Sequence, residues 1–271
     1  MDWHLSRIPK KAYFYWGTEL FPWIRYVSLE TFVKHHPDWE VFLYVKPSLD
    51  RVPEDTDKSD NCWSKVEALG VKIVELDIEK HLGVDFPAKY ITIYADIFRY
   101  IVLGQTGGFY ADTDMLFFRA LEQSPFNNPG YEGKDVFMLP PPYHHFLWGV
   151  KDASWWKKVL DYQVNHLPHE GSRFLDTTAC TCYIPQSYND RIQILPMTTC
   201  EENFNANGPV DVNAIALNWH GSGTYGKYRA VNEQNYMESD HPLAACVRFC
   251  LTGAMGPASG IGSFQWINRG E

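Results

Sequence analysis

The apolar positions in the first third of the chain alternate between short continuous runs and helical spacing. The runs have the length and the Val, Tyr and Phe content of buried strands, and they lie at 12–16, 40–45 and 71–76. Between them, 23–36 and 61–69 carry apolar residues every three to four positions, and Pro37 and Gly70 follow these segments. Strands that alternate with helices predict an α/β sheet with parallel strands.

The same pattern continues with less regularity towards the carboxyl end. A long amphipathic segment at 90–106 predicts a helix that stops at Gly107-Gly108, and 109–118 is strand-like on both sides of an acidic centre. Further strands are predicted at 135–140, 143–150, 192–196 and 212–219, and further helices at 152–167 and 240–252. With neither a repeat nor a long biased linker, we expect one domain over 1–271, a mixed, mostly parallel sheet flanked by helices.

Composition narrows the class of protein. Aromatic residues make up 15% of the chain, which indicates an aromatic core and leaves rings for stacking on sugars or bases. The net charge of −9 argues against nucleic-acid binding, which needs a basic face. No apolar run reaches the roughly 18 residues of a membrane span, and the first residues do not resemble a signal peptide. Six cysteines without zinc spacing favour reduced thiols in a cytoplasm.

The acidic centre is Asp112-Thr113-Asp114, between two apolar strand halves. Two ionised carboxylates there need a partner, and hard oxygen ligands suit Mg²⁺ or Mn²⁺. On a regular strand, residues two apart point to the same face, so both carboxylates could reach one ion. The alternative is a turn that carries two solvated aspartates.

Asp96 and Arg99 lie three residues apart on the predicted helix 90–106 and therefore share a face. Their neighbours are apolar, so the helix should be largely buried and the pair should need partners. A polyhydroxyl ligand offers them, because a carboxylate accepts from sugar hydroxyls and a guanidinium donates to hydroxyls or phosphate. The alternative is a surface ion pair that contributes little.

These residues carry a resemblance to a family. The stretches IPKKAYFYWG, FPWIRYVSLETFVKHHPDWEVFLYV and YADIFRYIVLGQTGGFYADTDMLFF are similar to DXD-containing sugar transferases over about residues 8–120. The family includes initiating mannosyltransferases of the yeast Golgi, bacterial capsule and lipopolysaccharide sugar transferases, and the glucosyltransferase domains of large toxins. The resemblance implies a GT-A fold, a nucleotide-sugar donor and Mn²⁺ or Mg²⁺. Residues 1–120 would form the nucleotide-sugar half, and 121–271 the acceptor side with a segment that closes the metal site.

The resemblance also implies roles in catalysis for four residues. Asp114 matches the direct metal ligand of the DXD pair, and Asp112 matches the residue that reaches the ribose or a metal-bound water. Asp96 and Arg99 match the pair that binds donor-sugar hydroxyls. Beside these four, Tyr110 matches a tyrosine that binds the donor by lying against the diphosphate or the sugar.

Further residues are expected to bind the nucleotide. Trp16 matches a tryptophan that stacks on the base, with Tyr15 offering backbone hydrogen bonds, although Trp16 could equally be a core residue. A late segment, NWHGSGTY at 218–225, resembles the family's closing segment, with His220 as a metal ligand and Ser222 and Tyr225 near the donor. Family members usually have a tryptophan soon after the serine, and the nearest candidate here is Tyr225, which weakens the match. A polar turn is the alternative.

Three residues are weaker candidates. Asp176 could contact the transferred sugar, and the adjacent His144 and His145 could face an acceptor, although paired histidines in a loop are more often solvated. Trp148, Trp155 and Trp156 are expected in the core.

The implied function is metal-dependent, retaining transfer of a hexose from a nucleotide sugar to a glycan hydroxyl in a bacterial, phage or viral cytoplasm. Because Trp16-Gly17 resembles the UDP-glucose-using toxins, UDP is favoured over GDP. The alternatives are a metal-independent glycoside hydrolase and a carbohydrate-binding lectin.

Overall fold

A computed structural model describes most of the chain. The described residues are 7–47, 61–84, 91–123, 131–139, 144–166, 191–196, 200–201, 210–211, 213–219, 231–254 and 266–267. The strands are β1 Lys11–Trp16, β2 Glu40–Val45, β3 Lys72–Glu75, β4 Gly108–Ala111, β5 Met115–Phe117, β6 Val136–Met138, β7 Phe146–Gly149, β8 Ile192–Ile194, β9 Cys200–Glu201, β10 Val210–Asp211, β11 Ala216–Asn218 and β12 Trp266–Ile267. The helices are α1 Trp23–His35, α2 Trp63–Ala68, α3 Ile78–Leu82, α4 Ile91–Thr106, α5 Ser154–His166 and α6 Pro242–Thr252, with a 3₁₀ turn at Leu121–Gln123.

The main sheet has seven strands in the order β3-β2-β1-β4-β7-β6-β8. Neighbours from β3 to β4 are parallel, as are β6 and β8, whereas β7 is antiparallel to both β4 and β6. The expected α/β class with a mixed, mostly parallel sheet flanked by helices is confirmed. The short helix α3 was not predicted, although Asp77 caps it by accepting a hydrogen bond from the Lys80 amide.

Both faces of the main sheet are covered, as the apolar runs of its strands indicate. Along β1, Ala12 and Phe14 belong to the cluster under α1, while Tyr13 and Tyr15 belong to the cluster under α4. The expected core positions of Trp148, Trp155 and Trp156 are confirmed, since each is about 1% exposed. The aromatic excess therefore serves mainly to fill two cores.

The turn into β4 depends on Gly107 and Gly108, which both have positive φ, +65° and +119°. A Cβ atom at Gly108 would lie 2.5 Å from the carbonyl oxygen of Lys11. The glycines therefore let β4 begin directly beside β1, and the carboxyl ends of the two strands come to lie side by side.

The structure corrects the prediction for the acidic centre. Asp112, Thr113 and Asp114 do not lie inside a strand but in a turn between β4 and β5. The two strands belong to different sheets, because β5 pairs with β11 in a separate three-stranded sheet with β9. The same-face rule for regular strands consequently does not apply to the two aspartates.

Within the described ranges, no helix is long and apolar enough to cross a membrane.

Candidate active site

An open cavity of about 310 Å³ lies at the carboxyl ends of β1 and β4. Six residues predicted from the sequence line it, namely Tyr15, Trp16, Asp96, Arg99, Asp112 and Asp114. From β1 the chain continues to β2 and β3 on one side, while β4 lies on the other side, so the cavity marks a switch in strand order. Ligands of open α/β sheets bind at such switch points.

Arg99 is the centre of one half of the site. Its Nη2 donates to Asp96 Oδ1 at 2.6 Å and lies 3.5 Å from Asp112 Oδ1, and its Nε donates to the Ala95 carbonyl. The guanidinium also lies over the Tyr110 ring, 4.9 Å from its centroid. Arg99 is buried, whereas the side chains of Asp96 and Asp112 keep about a quarter to a third of their surface exposed. The arginine therefore fixes two carboxylates whose free edges face the cavity.

The ionised form of Asp112 is favoured by its surroundings. Burial alone would raise the pKa of Asp112, but the positive charge of Arg99 outweighs that effect, with help from His145, the Tyr110 hydroxyl and Arg25. The net result is a pKa of Asp112 below its ordinary value. The Asp112 amide also donates to the His145 carbonyl at 3.1 Å, which ties this residue to the main sheet.

Arg25 of α1 is the centre of the other half, and sequence reasoning missed it. Its Nη1 lies 3.5 Å from Asp114 Oδ2 and donates to the Thr113 hydroxyl at 3.3 Å. Ser28, one helical turn further on, donates to the Thr113 carbonyl at 2.6 Å. The signal was available, because Arg25 is a basic residue among apolar neighbours, the pattern that singled out Arg99.

Trp16 lines the cavity and also packs against the core, so the core alternative is correct in part, while stacking on a base stays a prediction. The indole is half-buried, packs edge-on against Phe21 and donates from Nε1 to the Leu20 carbonyl at 2.7 Å. The guanidinium of Arg25 lies 5.3 Å from its ring centroid. Tyr15 is buried against Phe98, and burial raises the pKa of its hydroxyl.

Tyr110 has a different position from the one predicted. Its side chain is about 1% exposed and does not line the cavity. Its hydroxyl instead donates to Asp112 Oδ1 at 2.5 Å, beneath the carboxylate. Successive residues of a strand point to opposite faces, so Phe109 packs under α1 and Tyr110 packs under α4. Tyr110 therefore contacts Asp112 from the core.

Four predicted residues lie outside the described residues, namely Asp176, His220, Ser222 and Tyr225. His144 and His145 are described, and both are buried, so the expectation that they are solvated is wrong. They lead into β7, which packs between β4 and β6 inside the sheet. Within the described ranges no group of three His, Cys, Asp or Glu side chains could hold a metal.

The donor set nevertheless suits a divalent cation. The cavity wall contains three carboxylates, from Asp96, Asp112 and Asp114, and two guanidinium groups, from Arg25 and Arg99. Its formal charge is therefore −1, so an anionic diphosphate would meet a wall without excess positive charge. Carboxylate oxygens are the ligands that Mg²⁺ and Mn²⁺ prefer, and those of Asp112 and Asp114 both belong to residues that line the cavity.

The mixed α/β sheet and the Asp-x-Asp turn at the strand switch point agree with the resemblance that the sequence carries. Residues 25–131 match the family model described as the glycosyltransferase sugar-binding region containing a DXD motif. This range includes Asp96, Arg99, Asp112 and Asp114, and the resemblance to DXD glycosyltransferases is confirmed. Residues 25–131 are thus similar to the DXD-containing sugar-binding region of glycosyltransferases.

Individual proteins show the same likeness. The human alpha-1,4-N-acetylglucosaminyltransferase is 23% identical over 137 residues, which are 45% of this chain and 40% of the human protein. The matched region therefore spans about two fifths of that relative's length. The WbbM bifunctional glycosyltransferase has a similar structure, with a TM-score of 0.53 and 9% identity over 91% of this chain and 50% of that one. The PaToxG glycosyltransferase has a TM-score of 0.47 and 18% identity over 68% of this chain and 74% of that one.

Proposed function

We propose that this chain is a metal-dependent glycosyltransferase that transfers a hexose from a nucleotide sugar to a glycan hydroxyl. A UDP-sugar is the favoured donor, and a GDP-sugar is the second choice. The observation that carries the proposal is the convergence of Asp96, Arg99, Asp112 and Asp114 on one cavity at the strand switch point. These residues come from a helix and a turn that the fold brings together, and all lie in the region that matches the family model.

The charges of the wall support this chemistry. Mn²⁺ or Mg²⁺ held by Asp112 and Asp114 would act as a Lewis acid on the diphosphate that leaves the sugar. Arg99 keeps both Asp96 and Asp112 in fixed positions, at 2.6 and 3.5 Å. The carboxylate of Asp96 accepts hydrogen bonds from donor-sugar hydroxyls and so orients C1 towards the acceptor. Trp16 is the last residue of β1 and lines the cavity, and its ring stacks on the base of the nucleotide.

The transfer is proposed to retain the anomeric configuration, as the resemblance implies. The acceptor oxygen forms its bond to C1 on the face from which the diphosphate departs. The C1–O bond to the phosphate breaks, and the proton of the acceptor hydroxyl passes to the leaving phosphate oxygen. An NMR spectrum of the first product that shows the opposite anomer would exclude this route.

The remaining expectations complete the proposal. We infer one domain over 1–271, with a nucleotide-sugar half at 1–120 and an acceptor half at 121–271 that contains His220, Ser222 and Tyr225 near the metal and diphosphate. Cys62, Cys246 and Cys250 are buried thiols, which is consistent with work in the cytoplasm of a bacterium, phage or virus.

One assay tests the proposal. The protein is incubated with a panel of UDP- and GDP-sugars and a glycan mixture, with Mn²⁺ or with EDTA, and released UDP or GDP is measured. We expect release from at least one donor that stops with EDTA. Glycan hydrolysis that continues in EDTA would indicate a glycoside hydrolase instead, and glycan binding without any release would indicate a lectin.

A further inference from the structure

Arg25 stands in a position that helix energetics do not favour. It lies in the first turn of α1, where the backbone already carries partial positive charge, and no acidic residue shares that turn. Its side chain is only 8% exposed. Burying a cation at a helix N-terminus costs stability unless other groups compensate. The compensation therefore has to come from outside the helix.

The compensating groups belong to three separate elements. The guanidinium lies between two indole rings, 5.3 Å from the centroid of Trp16 and 4.6 Å from that of Trp219. One edge reaches Thr113 and Asp114, and Nε has no hydrogen-bond partner among the described residues. Stacking on aromatic faces and pairing with a carboxylate hold the guanidinium plane in place. Arg25 thus connects the end of β1, the aspartate turn and the residue after β11.

The two halves of the site have the same construction. Asp112 lies 3.5 Å from Arg99, which is stacked on Tyr110, and Asp114 lies 3.5 Å from Arg25, which is stacked on Trp16 and Trp219. Each aspartate of the motif therefore pairs with one arginine whose guanidinium is stacked on aromatic rings. Arg99 has a second carboxylate partner in Asp96, whereas Asp114 is the carboxylate that Arg25 pairs with in the described residues.

We propose that Arg25 is a positioning residue with two opposed electrostatic effects, an inference that rests on the proposed function. It orients the Asp114 carboxylate and the Trp16 ring relative to each other, and its fixed charge competes with a divalent cation for Asp114. The same charge faces the cavity, where it attracts the diphosphate of the donor. The metal is therefore held weakly until the nucleotide arrives, and donor binding is coupled to metal binding through one side chain.

The test replaces the charge and measures two affinities apart from turnover. Arg25→Met keeps an apolar stem between the two indoles, and Arg25→Gln keeps a donor for Thr113. Free Mn²⁺ is titrated by electron paramagnetic resonance at low ionic strength, and UDP is titrated by calorimetry at saturating Mn²⁺. For both variants we expect Mn²⁺ to bind about 5- to 50-fold more tightly, since a like charge beside the ion is gone. UDP should bind at least about fivefold more weakly.

Matched variants separate charge from structure. Arg25→Lys restores a cation without the planar stack, so its Mn²⁺ affinity should return to within about twofold of the wild type. Arg119→Met should change neither affinity, because Arg119 donates to Asn213 and does not line the cavity.

The opposite directions of the two shifts identify the role. If the neutral variants weaken Mn²⁺ and UDP together, or change neither, Arg25 is a structural residue and the inference is wrong. It is also wrong if Arg25→Lys tightens Mn²⁺ as much as Arg25→Met does. A wild-type protein that binds none of Mn²⁺, UDP and GDP would overturn the proposed function together with this inference. Normal wild-type binding with unaffected Arg25 variants would overturn this inference alone.

Discussion

At the scale of single residues, the site consists of carboxylate–guanidinium pairs in which each guanidinium is packed on aromatic rings. The arginines and Asp114 are buried, whereas the Asp96 and Asp112 carboxylates keep about a quarter to a third of their surface exposed. An arginine that is stacked on a ring loses little further freedom when it pairs, so its partner is held precisely enough to receive a ligand. The roles of individual atoms in this arrangement can be tested by changes that preserve shape.

Asp114→Asn keeps the side-chain volume and removes the charge. If Asp114 is a metal ligand, turnover of a UDP-sugar with Mn²⁺ should fall by about 10³-fold or more, because an anionic oxygen ligand is lost. The change also removes a charged partner of buried Arg25, so the melting temperature should fall by several degrees while a cooperative transition remains, which circular dichroism can check. Asp161→Asn, on the exposed face of α5 beside Lys157, is the control and should retain wild-type turnover. Normal turnover in Asp114→Asn would refute the metal assignment.

Tyr110→Phe removes one hydroxyl and leaves the ring under Arg99. Burial raises the pKa of Tyr110 well above its ordinary value, so the hydroxyl remains a donor to Asp112 at neutral pH. A hydrogen bond to a charged group contributes about 1.5–3 kcal/mol, so kcat/KM should fall roughly 10- to 100-fold.

The matched control for this change is Tyr44→Phe. Tyr44 contacts Phe98, as Tyr110 does, but does not line the cavity. Its variant should keep wild-type kinetics. Equal losses in the two variants would mean that the Tyr110 hydroxyl acts through general packing rather than through Asp112.

At the scale of elements, the start of β4 and the end of α1 are the two places where local geometry is most demanding. The Gly107-Gly108 turn lets β4 begin directly beside β1. His36, at the end of α1, accepts a hydrogen bond from the Leu121 amide of the 3₁₀ turn at Leu121–Gln123. Both features stabilise the frame rather than touch a ligand, so their tests measure unfolding.

Gly108→Ala should destabilise the protein by about 2–4 kcal/mol in urea unfolding. The residue has φ of +119°, and its new Cβ would meet the Lys11 carbonyl oxygen at 2.5 Å. Gly70→Ala is the matched comparison, because Gly70 also has positive φ but has open space around the Cβ position. It should cost only about 1 kcal/mol. Equal costs would show that the close approach to Lys11 does not matter.

His36 should make stability depend on pH below neutrality. The ring donates from Nδ1 to the Phe32 carbonyl and accepts at Nε2 from the Leu121 amide, an arrangement that only the neutral ring can make. Burial is the main cause that lowers the pKa of His36 to about 4, with His35 adding to it and the Phe32 carbonyl and nearby Glu122 and Asp38 opposing it. Protonation therefore favours the unfolded chain.

The contribution of His36 is complete above pH 6.5 and is lost as the pH falls towards 4. The pKa difference corresponds to roughly 3 kcal/mol over this range. Urea unfolding at several pH values should show the loss in the wild type, and His36→Gln should reduce the slope. His81→Gln, on exposed α3, should leave it unchanged. An unchanged slope in His36→Gln would count against this account.

At the scale of the whole molecule, the sequence predicts the frame well and the contacts of the site in part. Apolar runs and helical periods locate the strands from β1 to β4 and the helices α1 and α4, because these patterns are local. Asp96, Arg99, Asp112 and Asp114 were identified together because buried charges need partners. Arg25 has apolar neighbours, as Arg99 does, but its partners are about 90 positions away in the sequence, so no nearby residue pointed to a pair. The change of sheet at Asp112–Asp114 was also missed, since no local pattern states which strand a segment pairs with.

The turn between the two sheets has a consequence for dynamics. Asp112 is held to the main sheet by its amide bond to the His145 carbonyl, while the Asp114 carbonyl accepts from the Trp219 amide beside the smaller sheet. Two neighbouring carboxylates thus belong to separate frames. Because the two amide bonds lie in different sheets, the amides of Asp112 and Trp219 should exchange at different rates in hydrogen–deuterium exchange, and Mn²⁺ with UDP should slow both. A common rate for the two amides without ligand would show that both halves of the turn open together.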